Sequence, residues 1–145
     1  MKETPDPEEV AAALRVSTGL LLRRLRQVPH EDELTLSETA ALARLDRGGP
    51  ATAAGLAKLE QISAQSMGAT LAALEARGLI ERAPDPGDRR RIAVSISDAG
   101  REILRSRRDA RTKALAQALS SGFTPAERVQ LADVAPLLER LAQSI

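Results

Sequence analysis

Apolar residues recur at three- and four-residue steps through the first thirty positions, which is the spacing of one face of an α-helix. The sequence predicts that residues 1–7 form a frayed tail and that this helix ends at Pro29. A second helix is predicted from the capping box of Thr35 and Glu38 to Gly48, because this pattern satisfies free backbone donors at a helix start. The periodic positions of the first helix are Val10, Leu14, Leu21, Leu25 and Val28.

Two short helices joined by a tight turn are predicted in residues 52–78. Thr52 and Ser63 are good N-caps for them, and Gly78 is a typical residue just after a helix end. Gln61 stands in the turn, where such units often use glycine. This arrangement is a helix-turn-helix, in which the second helix is presented to the major groove of DNA.

The period changes to two directly afterwards. Ile92, Val94 and Ile96 alternate with other residues as in a half-buried strand, and residues 79–83 can pair with them. Between these segments lies Pro84-Asp85-Pro86-Gly87-Asp88, a cluster of turn-forming residues. Residues 79–96 are therefore predicted to form a β-hairpin, and a helix-turn-helix followed by a hairpin is a winged helix.

The last part of the chain is predicted to be helical. Ser97 caps a long helix to about Ser120, and Thr124 with Pro125 starts a final helix. The apolar positions of that final helix keep a 3-4-3-4 spacing, which is typical of a helix packed against a partner helix. These positions are Leu131, Val134, Leu138, Leu141 and Ile145.

The predicted fold class is therefore mainly α, formally α+β. Residues 1–33 are interpreted as a tail and an N-terminal helix, residues 34–97 as a winged helix-turn-helix DNA-binding domain, and residues 98–145 as two C-terminal helices.

The second helix of the helix-turn-helix has two different faces at 100° per residue. Met67, Leu71 and Leu74 form a core face, whereas the opposite face carries only small or polar side chains. Glutamine and serine can hydrogen-bond to base edges, and a smooth face fits a groove about 12 Å wide. The alternative is an ordinary solvated face. The candidate DNA-contacting residues are Ser63, Gln65, Ser66, Ala69 and Thr70.

Three consecutive arginines, Arg89, Arg90 and Arg91, lie at the predicted hairpin tip. They can contact phosphates or enter a narrow minor groove, whose negative potential attracts arginine. The alternative is local pairing with Asp85 or Asp88, which leaves the other arginines available. Helix N-termini at Ser37 and Thr52 are further candidates for DNA-backbone contacts, with ordinary helix capping as their alternative.

Composition excludes several other classes. There is no cysteine, tyrosine or tryptophan and one histidine, His30, so neither an enzyme nor a thiolate metal site is expected, and no cofactor is predicted. His30 is interpreted as a solvated loop residue. The first residues are acidic and no long apolar run occurs, so a soluble cytoplasmic protein without membrane contact is predicted. The net charge of +1 means that attraction to phosphate must come from local clustering.

The chain resembles the MarR family of bacterial regulators. The segments that match are Ile62-Ser63, Leu74 to Arg82, Asp85 to Arg91, Val94 to Ser97, and Gly100-Arg101. The resemblance implies a triangular homodimer in which the first and last two helices interlock, so that residues 1–33 supply an N-terminal dimerisation helix and residues 98–145 the C-terminal dimerisation helices. The dimer interface expected from it contains the apolar residues Val10, Leu14, Leu21, Leu131, Val134, Leu138 and Leu141. The resemblance also implies that Arg90 enters the minor groove, with Arg89 and Arg91 on phosphates.

The resemblance further implies an effector pocket, often for small aromatic or phenolic acids. Arg23, His30 and Arg44 are the candidate anion partners in that pocket. Two positions depart from the family pattern. Many relatives carry a polar or basic residue at the position of Ala69, and an acid that braces the wing at the position of Ala72.

The resulting hypothesis is a sequence-specific transcription regulator, a repressor relieved by a small-molecule effector. It binds a pseudo-palindromic operator in double-stranded DNA as a homodimer. The alternative is a protein-interaction module that uses the winged helix as a packing surface and does not bind DNA directly. The salt dependence of DNA affinity separates the two, because counterion release accompanies phosphate contacts.

Overall fold

A computed structural model describes residues 3–145 of the protein. Within these residues there are six α-helices and one small antiparallel sheet of three strands, so the predicted class, mainly α with a winged helix-turn-helix, is confirmed. The elements in chain order are α1 Pro7–Arg26, α2 Leu36–Gly48, β1 Ala51–Thr52, α3 Ala53–Glu60, α4 Ala64–Ala76, β2 Ile80–Pro84, β3 Ile92–Ile96, α5 Asp98–Gly122 and α6 Pro125–Gln143.

The chain divides into two compact units. One consists of Met1–Pro29 with Ala110–Ile145, of which the structure describes residue 3 onward, and the other is His30–Asp109. The second unit contains the whole helix-turn-helix and the hairpin. Among the helices of residues 3–145, none is both long enough and apolar enough to span a membrane.

The helix boundaries follow the capping residues closely. The hydroxyls of Thr35, Thr52 and Thr124 accept hydrogen bonds from backbone N–H groups three residues later, as the capping prediction requires. The first helix differs from the prediction at both ends, because it begins at Pro7 and ends at Arg26. Proline suits the first helical turn, and a proline disfavours helical geometry in the residue before it, so the helix stops ahead of Pro29.

The main core lies in the unit His30–Asp109. It joins α2, α3, α4, the sheet and the first turns of α5. The largest fully buried side chains are Leu42, Leu45, Leu56, Met67, Leu71, Leu74 and Val94. With no aromatic side chain among them, the core depends on tightly packed aliphatic groups and holds α4 firmly by its inner face.

The sheet has the order β1-β3-β2. The pairing of β2 with β3 runs from Ile80 opposite Ile96 to Pro84 opposite Ile92, which confirms the predicted hairpin. Strand β1 was not predicted: its two residues, Ala51 and Thr52, pair with Val94 and Ala93 just before α3. The middle of β3, at Ala93 and Val94, is therefore paired on both sides.

Gln61 adopts the left-handed conformation at the end of α3, with φ of 55° and ψ of 41°. The next residue, Ile62, donates its N–H to the carbonyl of Ala57, which closes the turn. A residue with a Cβ in this conformation costs about 1 kcal/mol relative to glycine. The turn is therefore held by its hydrogen bonds and by the surrounding packing, although glycine is absent.

The start of α5 lies close to the end of α4. The Ser97 hydroxyl donates to the Gly78 carbonyl and accepts from the Gly100 N–H, so the predicted cap at Ser97 is confirmed. A Cβ placed on Gly100 would lie 2.4 Å from the carbonyl oxygen of Leu79 and 2.8 Å from Cγ1 of Ile96. Only glycine fits where the first turn of α5 approaches Leu79 and Ile96 so closely.

Candidate nucleic-acid interface

The first turn of α4 is organised by Ser63. Its hydroxyl accepts from the Ser66 N–H at 3.0 Å and donates to the Ser66 hydroxyl at 2.9 Å. The Ser66 hydroxyl therefore still has its own proton to donate. The N-terminal end of α4 is exposed, and its free backbone donors carry the positive end of the helix dipole.

The two faces of α4 have the predicted character. Met67, Leu71 and Leu74 are buried, whereas Gln65, Ser66, Ala69, Ala72 and Ala73 are exposed. Thr70 is half-buried at the margin of the core face, so of the five candidate contact residues it is the least accessible. The exposed face is polar at its N-terminal end and is lined by methyl groups beyond it.

The tip of the hairpin is ordered by its two aspartates. Asp85 accepts from the Gly87 N–H at 2.9 Å, and Asp88 accepts from the Arg90 N–H at 3.1 Å. The backbone also closes the loop, because the N–H of Asp85 donates to the carbonyl of Arg91 at 2.8 Å. The chain direction at the arginines is therefore set by the loop itself.

Asp88 also pairs with two of the three arginines. It lies 3.2 Å from Nε of Arg90 and 3.8 Å from Nε of Arg91. The Arg90 side chain is nevertheless 92% exposed, and Arg89 is exposed as well. An ion pair in water contributes about 0–1 kcal/mol, so a phosphate can replace Asp88 at little cost.

One ion pair that was not predicted from the sequence braces the hairpin against α4. Arg82 on β2 donates to Glu75 on α4 at 2.6 Å. Glu75 lies about one turn beyond Ala72, the position at which the family resemblance predicts an acid that braces the wing. This pair could have been predicted from the sequence, because Glu75 and Arg82 carry opposite charges on either side of the predicted turn at Gly78.

The candidate backbone contacts differ in their surroundings. The Thr52 hydroxyl accepts from the Gly55 N–H and so caps α3, which is the ordinary helix capping given above as the alternative to a DNA contact. Ser37 is exposed in the first turn of α2, where the cap is Thr35. Both residues therefore lie at helix N-termini, where a phosphate can approach free backbone donors.

The candidate effector-binding residues differ in their own surroundings. Arg44 already pairs with Glu60 at 2.5 Å, and Arg23 is exposed in the last turn of α1. The interpretation of His30 as a solvated residue is wrong, because it is half-buried and its Nε2 is shielded from water. Among the described residues there is no group of three His, Cys, Asp or Glu that could hold a metal.

The candidate dimer interface lies on α1 and α6, neither of which buries any residue within the single chain. Val10 and Leu14 of α1 and four apolar residues of α6 line a groove of about 440 Å³. Leu21 and Leu131 are 48% and 46% exposed. Such apolar exposure is costly in water unless a partner covers it.

This combination of a helix-turn-helix and a β-hairpin also occurs in known proteins. The sequence model of the MarR family matches residues 33–91, which include the helix-turn-helix and most of the hairpin. A helix-turn-helix-type transcriptional regulator from Mycobacterium bovis is 33% identical over 129 residues, which cover 89% of this chain and 90% of the relative.

Solved structures show the same fold. The crystal structure of a transcriptional regulator protein from Pseudomonas aeruginosa is 37% identical, with a TM-score of 0.78 over 96% of this chain and 99% of that one. A mutant of MepR from S. aureus, bound to an oligodeoxyribonucleotide, is 21% identical, with a TM-score of 0.66 over 91% of this chain and 97% of that one. On its sequence and its fold, the chain belongs to the MarR family of transcriptional regulators.

Proposed function

We propose that the protein is a homodimeric repressor that binds an operator in double-stranded DNA, with α4 in the major groove and the hairpin tip at the adjacent minor groove. One observation carries the proposal. Within the unit His30–Asp109, α4 exposes a smooth alanine-lined face while the hairpin exposes three arginines. Both are features that DNA recognition uses and that a packed core does not.

The α4 face supports readout at its N-terminal end. Gln65 can pair with adenine, and the Ser66 hydroxyl retains a proton to donate to a base edge. Ala69, Ala72 and Ala73 then allow the helix to lie deep in a groove about 12 Å wide. Sequence preference is therefore assigned to few side chains, with Ser63 and Thr70 at the margins of the contact.

The hairpin supports electrostatic contact. Arg90 is assigned to the minor groove, and Arg89 and Arg91 to phosphates, because all three are exposed and Asp88 holds Arg90 and Arg91 only weakly. Thr52 and Ser37 are assigned to the DNA backbone. With DNA as its partner, we expect the protein in the cytoplasm, and we propose that a dimer bound over a promoter blocks transcription.

The exposed apolar faces of α1 and α6 support a homodimer. A symmetric dimer presents its two α4 helices to successive major grooves when they lie about 34 Å apart, and it reads a pseudo-palindrome of roughly 16–20 base pairs. Relief of repression by a small aromatic or phenolic effector stays a prediction of the family resemblance.

The DNA contact is tested by Arg90→Ala. We expect at least a tenfold loss of affinity, since a hydrogen bond to a charged group contributes about 1.5–3 kcal/mol. The slope of log affinity against log salt should flatten by about one unit, because one phosphate-region charge is removed. Fluorescence anisotropy with an operator selected from a random DNA pool measures both quantities.

Arg105→Ala is the matched control, since Arg105 pairs with Glu102 on α5 and not with the hairpin. It should leave affinity and slope unchanged. Equal behaviour of the two variants would remove the hairpin from the interface. Wild-type protein that binds no duplex at low salt would favour the protein-interaction alternative.

The dimer is tested by Leu141→Glu. Leu141 lines the apolar groove and is 46% exposed, so a charge there should oppose burial against a second copy. In sedimentation we expect the variant near 15.5 kDa and the wild type near twice that mass.

Val129→Glu is the control for this variant, because Val129 is 61% exposed on the opposite side of α6 from Leu131. It should remain dimeric. If Leu141→Glu is as fully dimeric as the wild type at micromolar concentration, the interface lies elsewhere.

A further inference from the structure

The segment between α1 and α2 is anchored to α5 by a buried ion pair. The Asp32 carboxylate accepts from Nε and Nη2 of Arg107, both at 2.6 Å. The two side chains are only 12% and 9% exposed. Arg107 also donates to the carbonyl of Leu34 at 3.3 Å, so its guanidinium holds two points of the same loop.

Asp32 also accepts a hydrogen bond from the C-terminal end of α4. Nη2 of Arg77 donates to the backbone carbonyl of Asp32 at 2.6 Å. Arg77 is the C-cap residue of α4, and its Nη1 lies 3.8 Å from Glu38 on α2. Asp32 therefore joins the C-terminal end of α4 to α5. We call the three residues Asp32, Arg77 and Arg107 the Asp32 clasp.

The loop backbone is held in an unusual shape at this point. Glu33 has φ of 56°, a left-handed conformation that residues with a Cβ rarely adopt. The Asp32 carboxylate accepts from the Leu34 N–H at 3.0 Å, which spans this residue. A strained residue persists only where its surroundings fix it, so the position of the Asp32 carbonyl is tightly set.

Stability alone does not account for the clasp. A buried ion pair is often no more stabilising than apolar residues of the same volume. The Arg77 side chain is 38% exposed, and ion pairs of such exposed side chains add little to the free energy of unfolding. The clasp fixes the orientation of α4 relative to the loop and to α5, because each of its hydrogen bonds has a defined donor and acceptor geometry.

We propose that the Asp32 clasp is a positioning device for DNA recognition, in which Arg77 sets the tilt of α4 without contacting DNA itself. This inference rests on the proposed function. It assigns to Arg77 a role through Asp32, whereas a surface arginine beside a recognition helix would otherwise be taken as one more phosphate contact.

The length of α4 makes its tilt consequential. Arg77 is twelve residues from Gln65, roughly 18 Å along the helix axis. A rotation of about 5° at the Arg77 end therefore moves the Gln65 end by roughly 1.5 Å. Hydrogen bonds to base edges tolerate only about 0.5 Å in distance, so a small tilt removes them.

The test is Arg77→Met, which removes the donor and retains much of the side-chain volume. For the selected operator, we expect at least a fivefold rise in Kd. Affinity for non-operator duplex should not change, and the salt slope should equal that of the wild type, because no phosphate contact is lost. Far-ultraviolet circular dichroism checks that the variant is folded.

Two further variants complete the experiment. Arg77→Lys keeps a cationic donor and should recover part of the operator affinity. Arg105→Met removes a surface ion pair of α5 outside the clasp and should behave as the wild type.

An unchanged operator Kd in Arg77→Met would overturn the proposal. A salt slope lower by about one unit would also overturn it, by making Arg77 a phosphate contact. Wild-type protein that binds no duplex would instead overturn the proposed function, and the clasp's role with it.

Discussion

Asp32→Asn is expected to lower the free energy of unfolding by about 3–5 kcal/mol, because it leaves the guanidinium of Arg107 buried without a carboxylate partner. Arg107 is only 9% exposed, so water cannot take the place of the lost charge. Urea unfolding followed by far-ultraviolet circular dichroism measures the change, since the chain has no tryptophan or tyrosine. Protein concentration is kept constant, because the proposed dimerisation would contribute to stability.

The matched control is Asp46→Asn, which breaks an ion pair with Arg108 whose side chain is 61% exposed. That change should stay within about 1 kcal/mol of the wild type. If the two variants lose equal stability, the Asp32–Arg107 pair does not behave as a buried one.

The effect of Asp32→Asn also depends on pH. Hydrogen bonds from Arg107 hold the pKa of the Asp32 carboxyl below its ordinary value of 3.8, against the opposing effect of burial. A carboxylate with a lowered pKa stabilises the fold above its unfolded pKa and loses this contribution as pH falls through the folded pKa. The gap between wild type and variant should therefore be full at pH 7 and narrow below pH 3.8.

Gly100→Ala is the second substitution with a large expected effect. The added methyl would lie 2.4 Å from the backbone oxygen of Leu79, which no side-chain rotation can relieve. The start of α5 must then move away from the end of α4, breaking the contacts of Ser97 at Gly78 and Gly100. We expect the free energy of unfolding to fall by about 3 kcal/mol or more. Under conditions in which part of the variant is unfolded, its apparent affinity for DNA should fall as well.

Gly68→Ala provides the comparison. Gly68 lies in α4, and a Cβ there meets nothing within 4 Å. Alanine favours helix over glycine, so this variant should gain up to about 1 kcal/mol. A Gly100→Ala protein as stable as the wild type in the same urea titration would mean that the packing of α5 against Leu79 and Ile96 is looser than described.

Local patterns predicted most of the fold. The caps at Thr35, Thr52, Ser63 and Ser97 depend on residues at most three positions away, and the two faces of α4 follow from helical spacing alone. The hairpin was visible because its period of two and its turn residues lie within one short segment. Such features are fixed by neighbours in sequence, which is why the order of elements was predicted.

Features that depend on distant residues were not predicted. Strand β1 has two residues, too few for a pattern, and exists because β3 offers it a partner. Asp32 and Arg107 are 75 positions apart, so nothing in their local sequences links them. His30 was interpreted as solvated for the same reason, since its burial comes from the packed chain and not from its acidic neighbours.

The central place of β3 in the sheet limits where the hairpin can bend. Its strand ladder is anchored on both edges near Ala93 and Val94, so flexing the stalk would cost hydrogen bonds on either side. Residues 85–91 lie beyond the last strand pair, and their backbone is held by hydrogen bonds to Asp85 and Asp88. In the proposed complex with DNA, adjustment to grooves of differing width therefore falls to the long, exposed side chains of Arg89, Arg90 and Arg91 and not to the backbone of the hairpin.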